Sequence, residues 1–338
     1  MGAPADAAPP GERERGTGLE RRTTVAGDAH EARRRLPRPR DTIAVESPSL
    51  SNCPGTRVSL LQILLLAVVQ GAAELLPVSS SAHVIVAEKL MGLDPTSPQM
   101  TLLLVMLHTG TMFAVIAYFW ASWRATYFRS AEAFRTSARA VVLATAVTGV
   151  VGLVLLQLIK RGVAGCAPGF EIEQLFGNAR LMAAALAAAG VLIIVSSRFR
   201  AGGAGDLSLR SAAWIGAVQG LCLPFRGFSR SGATISTGLI LGVARRRAEE
   251  FSFALAVVLT PVVILREAHR LYKAETAANA VDAGALWQLF APSLLGMVLS
   301  FLAGLLALRW LSRWLEQGRW HWFGVYCLLA SLAVLRLG

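Results

Sequence analysis

Charge is scarce in this chain of 338 residues: only 16% are Asp, Glu, Lys or Arg, while 54% are hydrophobic. An average soluble domain carries about 25% charged residues. The shortage excludes a soluble globular enzyme and, with a mean hydropathy of +0.52, a disordered regulator or a fibrous repeat. Cysteine is also sparse. Cys53, Cys166, Cys222 and Cys327 form no Cys-x-x-Cys or Cys/His spacing, which leaves no zinc or redox motif and no disulfide framework. Cys222 and Cys327 sit in apolar stretches and read as packing residues. The N-terminus lacks the apolar core of about 7–15 residues that a secretory signal needs.

Apolar runs take the place of charge. They cover residues 58–78, 100–121, 140–159, 179–195, 212–223, 233–244, 251–265, 286–308 and 323–337. Several reach the roughly 20 residues that span a bilayer, so the expected fold class is all-α: a polytopic membrane helix bundle. Two runs, 212–223 and 233–244, are too short to span and flank a polar, Gly-rich hinge. Such a pair reads as a re-entrant helical hairpin, because broken backbone at membrane depth is tolerated only where it lines a cavity or is buried in protein.

The net charge is +12. Its arginines lie mostly in loops between apolar runs, where basic residues fix topology and meet anionic headgroups, so nucleic acid is not an expected partner. The basic loops follow successive spans, not every second one, and give no clean orientation. Residues 1–56 are rich in Ala, Pro, Gly, Arg and acids and read as a disordered basic tail. It is either a nonfunctional extension or a lipid-touching arm. The membrane domain then runs over 57–338.

The two most polar islands inside apolar sequence resemble each other. The first runs Val69-Gln70-Gly71-Ala72-Ala73-Glu74-Leu75-Leu76-Pro77-Val78-Ser79-Ser80-Ser81-Ala82-His83; the second runs from Val218-Gln219-Gly220 through Pro224 to Ser229-Arg230-Ser231-Gly232-Ala233-Thr234. Both contain Val-Gln-Gly, a proline, then Ser-x-Ser and a small residue. Unless the likeness is chance, they are matching hinges of inverted repeats, approximately 57–175 and 176–338, and such paired broken helices point to a midplane site.

Each island carries suitable chemistry. Proline interrupts the helix, and the serines can cap a new half-helix whose free N–H groups and dipole attract phosphate. Arg230 offers a planar fork for phosphate oxygens. Glu74, a carboxylate in an apolar run, is functional by default, although it could pair with an arginine simply to hold helices together. His83 could move a proton or act as nucleophile, or only hydrogen-bond at the hairpin end. Ser79, Ser80 and Ser81 could be caps alone. Gln70 could bind an ion or substrate, or bond across helices. Arg226 could snorkel to headgroups.

Residues Gln70 to His83 resemble the first signature of the undecaprenyl-diphosphate phosphatase family, (E/Q)xxxE followed by Pro-x-Ser-Ser-(S/T)-small-His. Gly227-Phe228-Ser229-Arg230-Ser231-Gly232-Ala233-Thr234 resembles its second, PGxSRSGxT. Leu107-His108-Thr109-Gly110-Thr111 and Ala248-Glu249-Glu250-Phe251-Ser252-Phe253 are similar to further family segments, and the resemblance covers about 58–338. Arg226-Gly227 stands where the family has Pro-Gly, and Ala82 stands for the usual Gly before His83.

The resemblance implies inverted repeats with two re-entrant helical hairpins. It implies hydrolysis of undecaprenyl diphosphate to the monophosphate and phosphate, which recycles the lipid carrier of cell-wall synthesis. Glu74, Ser80, His83 and Arg230 would be catalytic. Ser79, Ser81, Ser229, Ser231, Gly232 and Thr234 would bind the diphosphate. A divalent cation, Mg²⁺ or Ca²⁺, would be held by Glu74 and Gln70. The partners would be a prenyl diphosphate lipid and the membrane, with a homodimer left open. The location would be the bacterial inner membrane, multi-pass, with the site open to the periplasmic side. Either Ser80 or His83 attacks phosphorus with Glu74 as base, or Glu74 and a hydrated metal prepare water. A lipid-carrier flippase or a secondary transporter is the alternative.

Overall fold

The computed structural model describes residues 58–94, 97–164, 178–199, 205–277 and 283–337. The tail expected over 1–56 lies outside these residues. The described residues form ten helices and no β-strand beyond one isolated bridge, Gly205 with Val243. In chain order the helices are α1 (Leu60–Leu75), α2 (Ser80–Leu90), α3 (Pro98–Thr126), α4 (Ala131–Ala164), α5 (Ala179–Arg198), α6 (Leu209–Cys222), α7 (Arg230–Ile240), α8 (Arg245–Ala277), α9 (Ala283–Glu316) and α10 (His321–Leu337).

Their starts follow from local chemistry. Ser59 and Gln62 form a reciprocal capping box before α1, which satisfies two end donors at once. Ser97 caps α3, with Pro98 in its first turn. Asn178, Ser208 and Ser229 cap α5, α6 and α7. Four helices are long and apolar enough to cross a bilayer: Gln99–Thr126, Ala131–Gly162, Ala179–Arg198 and Phe290–Glu316. The chain is therefore a multi-pass membrane protein. The outer face of α4 exposes Val142, Val150, Leu153 and Leu158, as a lipid-facing helix does.

Two helix–break–helix units stand out. α1 gives way to α2 across Pro77, and α6 gives way to α7 across Pro224. α2 and α7 have 11 residues each, about 16 Å, half of the roughly 30 Å hydrocarbon core. Packing links the units crosswise: α1 lies on α9 and α6 lies on α4, while α3 meets α8 and α9, and α5 pairs with α10. The glycine of each Val-Gln-Gly makes this possible. A Cβ on Gly71 would lie 2.6 Å from Ala303 Cβ on α9, and one on Gly220 would lie 2.8 Å from Val151 Cβ on α4.

The main core includes Leu75, Leu76, Val78, Phe119, Trp123, Ile235, Leu239, Phe253, Leu308 and Leu311, so residues on both sides of the first break are anchored in it. Glu249 and Glu250, buried at the start of α8, accept hydrogen bonds from Ser312 of α9 and Ser122 of α3. These carboxylates tie helices together.

Candidate active site

The first break is forced by Pro77. Leu76 is extended (φ −72°, ψ 152°), as a residue before proline must be, and α1 ends one residue after Glu74. The chain then turns through Ser79, which has φ 67° and ψ 95°. It is the single described non-glycine residue with positive φ, and such a backbone costs of order 1–3 kcal/mol and persists only where its surroundings over-determine it. The serine cap expected here is missing: Ser79 makes no side-chain cap bond, its backbone lying at positive φ where the capping Ser229 has φ −59°, and its hydroxyl stands 3.4 Å from Ser81 Oγ. α2 thus begins without a side-chain cap. At the second break Ser229 does cap, with its Oγ accepting from Gly232 N at 3.2 Å.

The breaks meet. Ser231 Oγ donates to the Leu76 carbonyl at 3.2 Å, and a Cβ on Gly232 would lie 3.1 Å from Pro77 Cβ. Gly227 holds φ +106°, and a Cβ there would fall 2.4 Å from the Met182 carbonyl, so neither backbone nor space admits another residue. Arg226 beside it is exposed and acts electrostatically on Glu88 of α2.

Glu74 is the hub. Arg230 NH2 donates to its Oε1 at 2.8 Å. Ser80 Oγ donates to its Oε2 at 2.6 Å, and Gln70 Nε2, one turn earlier on α1, lies 3.3 Å from the same oxygen. The Glu74 side chain is 17% exposed and that of Arg230 24%, a pair sunk into the protein yet reachable. Ser80 and Arg230 are the first residues of α2 and α7, so two helix N-termini converge on one carboxylate and one guanidinium. Both dipoles favour an anion there.

The remaining expected residues take supporting positions. Thr234 is buried; its hydroxyl donates back to the Arg230 carbonyl at 2.8 Å and pairs with Ser252 Oγ at 2.6 Å. Ser229 and Ser231 are buried with their hydroxyls 3.4 Å apart. His83 makes no described contact with Glu74. Its Nδ1 lies 2.7 Å from the Ser79 carbonyl and its Nε2 lies 2.6 Å from the Tyr326 hydroxyl. Both ring nitrogens are thus hydrogen-bonded in this structure. Gln219, the counterpart of Gln70, instead reaches Thr148 Oγ1 of α4 at 3.2 Å.

Sequence reasoning passed over His108. It belongs to α3, and its Nε2 stands 3.8 Å from Glu74 Oε2 while its Nδ1 bonds the Leu104 carbonyl at 2.8 Å. The signal was present: His108 is a polar residue in a stretch with no Asp, Glu, Lys or Arg between positions 98 and 123.

The protein donors alone do not complete a divalent-cation site, and Mg²⁺ commonly relies on one or two carboxylates together with substrate phosphates. Glu74 already meets Arg230, Ser80 and Gln70. Among the described residues no three His, Cys, Asp or Glu side chains gather to hold an ion. Gln70 Oε1, buried and without a hydrogen-bond partner, is a spare oxygen, but one amide and a carboxylate paired with arginine make no cage for Mg²⁺ or Ca²⁺.

The family described as Bacitracin resistance protein BacA matches residues 63–333. Undecaprenyl-diphosphatase 2 of Acinetobacter baylyi is 65% identical over 280 residues, 83% of this chain and 98% of that protein. Undecaprenyl-diphosphatase 1 of Burkholderia pseudomallei is 34% identical over 293 residues, 82% of this chain and 96% of that protein.

Proposed function

The chain belongs to the BacA family, and from that membership and the geometry of its site we propose that it is an undecaprenyl-diphosphate phosphatase. It hydrolyses undecaprenyl diphosphate to undecaprenyl phosphate and inorganic phosphate. The observation that carries this reading is the Ser80–Glu74–Arg230 arrangement at two converging helix N-termini. A hydroxyl hydrogen-bonded to a carboxylate is the usual pairing of an activated nucleophile with its base. A guanidinium and helix N–H groups beside them suit the charge that spreads over phosphoryl oxygens.

The reaction has two displacements. Glu74 takes the Ser80 proton as Ser80 Oγ bonds to the terminal phosphorus. The bond from that phosphorus to the bridging oxygen breaks, and its electron pair leaves with undecaprenyl phosphate. Water then attacks the phosphoserine, the phosphorus–Oγ bond breaks, Ser80 regains a proton from Glu74, and phosphate departs with the proton balance supplied by water. Arg230 turns from Glu74 toward the equatorial oxygens in both steps. A divalent cation, held by Glu74 and Gln70, would neutralise charge on the diphosphate.

We place the enzyme in the bacterial inner membrane with the site open to the periplasmic side, the two short-helix units entering the membrane as re-entrant hairpins, and take a homodimer as the assembly to test by cross-linking. The deciding experiment is phosphate release from farnesyl diphosphate by purified protein in detergent. It is combined with an acid quench using substrate labelled in its terminal phosphate. Release, with label trapped on the wild type and absent from Ser80→Ala, is expected. Binding without release would turn the reading to a lipid carrier or flippase; release without trapped label, and with an active Ser80→Ala, would turn it to direct attack by water.

A further inference from the structure

The last helix holds the first break from behind. Two successive residues of α10 reach it: Cys327 Sγ donates to the Pro77 carbonyl at 3.2 Å, and Tyr326 meets His83, with ring centroids 5.7 Å apart and planes 16° from parallel. The hydrogen bonds around His83 have a fixed direction. A carbonyl only accepts, so Nδ1 carries the hydrogen that reaches Ser79 O at 2.7 Å. In the neutral ring Nε2 is then an acceptor, and the Tyr326 hydroxyl 2.6 Å away donates to it. Both nitrogens are thereby committed, one to a backbone carbonyl and one to the Tyr326 hydroxyl.

The carbonyl that His83 holds belongs to the strained residue. Ser79 sits at φ 67°, and Ser80, the next residue, places its hydroxyl 2.6 Å from Glu74. A change in the Ser79 backbone therefore re-aims Ser80. Along the chain of contacts, the Ser79 carbonyl fixes the His83 tautomer, Tyr326 holds the ring in place by donating to Nε2, the held ring keeps the Ser79 carbonyl in position, and Ser79 fixes the direction of Ser80 Oγ.

We propose that Tyr326 is a positioning residue of the phosphatase reaction, acting through His83 to hold the Ser79 turn in the conformation that points Ser80 at Glu74. This rests on the reading of Ser80 as nucleophile. Tyr326 stands 243 positions from His83, outside both polar islands, so nothing in either motif announces it.

The test is a double-mutant cycle joined to a tautomer measurement. Tyr326→Phe keeps the ring stack and removes only the hydroxyl. In phosphate release from farnesyl diphosphate, kcat should fall by about 5- to 10-fold, the scale of one neutral hydrogen bond, with KM nearly unchanged. His83→Asn keeps a donor at the Nδ1 position and discards Nε2. In that background Tyr326→Phe should cost nothing further, because its partner is gone. Nitrogen-15 NMR of histidine-labelled protein in detergent should find His83 with its hydrogen on Nδ1, and in Tyr326→Phe the same tautomer with the Nε2 resonance moved by loss of its hydrogen-bond donor. Full kcat in Tyr326→Phe, an equal loss in the His83→Asn background, or an Nε2–H tautomer in the wild type would each overturn the proposal. The NMR result is independent of turnover. A protein with the Nδ1–H tautomer and no phosphate release would retire the phosphatase reading while keeping the contact, and active protein with the other tautomer would do the reverse.

Discussion

Glu74→Gln is the sharpest perturbation available, because it conserves shape and removes one charge. The carboxylate accepts from Arg230 on Oε1 and from Ser80 and Gln70 on Oε2. A glutamine amide cannot accept at both ends. With its NH₂ in the place of Oε1, it faces the Arg230 NH2 donor. With its NH₂ in the place of Oε2, it faces the Gln70 amide donor, and Ser80 loses its proton acceptor. Neither orientation leaves a base for the Ser80 proton. Loss of general base catalysis alone is worth at least about 100-fold in kcat, or about 2.7 kcal/mol of barrier. The structural cost is smaller. The Arg230 side chain remains 24% exposed, so water can take up part of its hydration, and breaking one charged hydrogen bond costs about 1–3 kcal/mol. The assay is phosphate release from farnesyl diphosphate in detergent, with size-exclusion profile and melting temperature measured on the same preparation. Turnover near wild type would refute Glu74 as the base. A variant that no longer folds would refute it as well, since the carboxylate would then be chiefly a helix tie.

Arg230→Lys should lower kcat by about 100-fold, as the loss of a transition-state donor does, because a single ammonium cannot replace the guanidinium fork between Glu74 and phosphate; parallel kinetics of the two proteins check this. His108→Gln, which keeps a side-chain amide near the Nε2 position 3.8 Å from Glu74, should stay within a few-fold of wild type, whereas His108→Leu, with no polar atom there, should lose about 10-fold. Deleting residues 2–55, which precede both polar islands and the region 63–333 matched by the family, should leave membrane insertion and specific activity within a few-fold; activity per milligram of well-behaved truncated protein decides it.

The site was legible in the sequence wherever a polar residue interrupted an apolar run with a proline nearby. Glu74, Ser80 and Arg230 could be singled out this way, and the break after Glu74 follows from Pro77 alone. The two short runs, 212–223 and 233–244, correspond to the short helices α6 and α7. The matching α2 was harder, since residues 80–90 mix serine, histidine, Glu88 and Lys89 and form no apolar run. Partners were not legible. That Gln70 turns to Glu74 and Gln219 to Thr148 depends on which long helix each hairpin meets. The positive φ of Ser79 could not be read either, because serine at a break ordinarily caps; here the turn spends its polar groups on Ser81 and His83 instead. His108 and Tyr326 are each one polar residue on an otherwise apolar helix face, and only folding brings them against the islands.

On the expected division into two repeats, the halves share a framework and divide the proposed chemistry between them. Each contributes a glycine that lets its first hairpin helix press on a long helix of the other half, Gly71 against α9 and Gly220 against α4. Each contributes a proline break and an 11-residue helix whose N-terminus points at the junction. The charged groups are not repeated. The first half supplies the carboxylate, and the position of Arg230 after the first serine of Ser-x-Ser is occupied in the first half by Ser80. Two carboxylates at this junction would repel each other and the diphosphate, and two arginines would leave no base. A single opposite pair keeps the empty site neutral, with each charge satisfied by the other at 2.8 Å. On the proposed mechanism it would also give the substrate something to displace: an arriving phosphate that drew Arg230 away would free Glu74 to take the Ser80 proton. Substrate binding and activation of the nucleophile are then the same event, and this coupling requires that the base and the cation come from different halves meeting at their breaks.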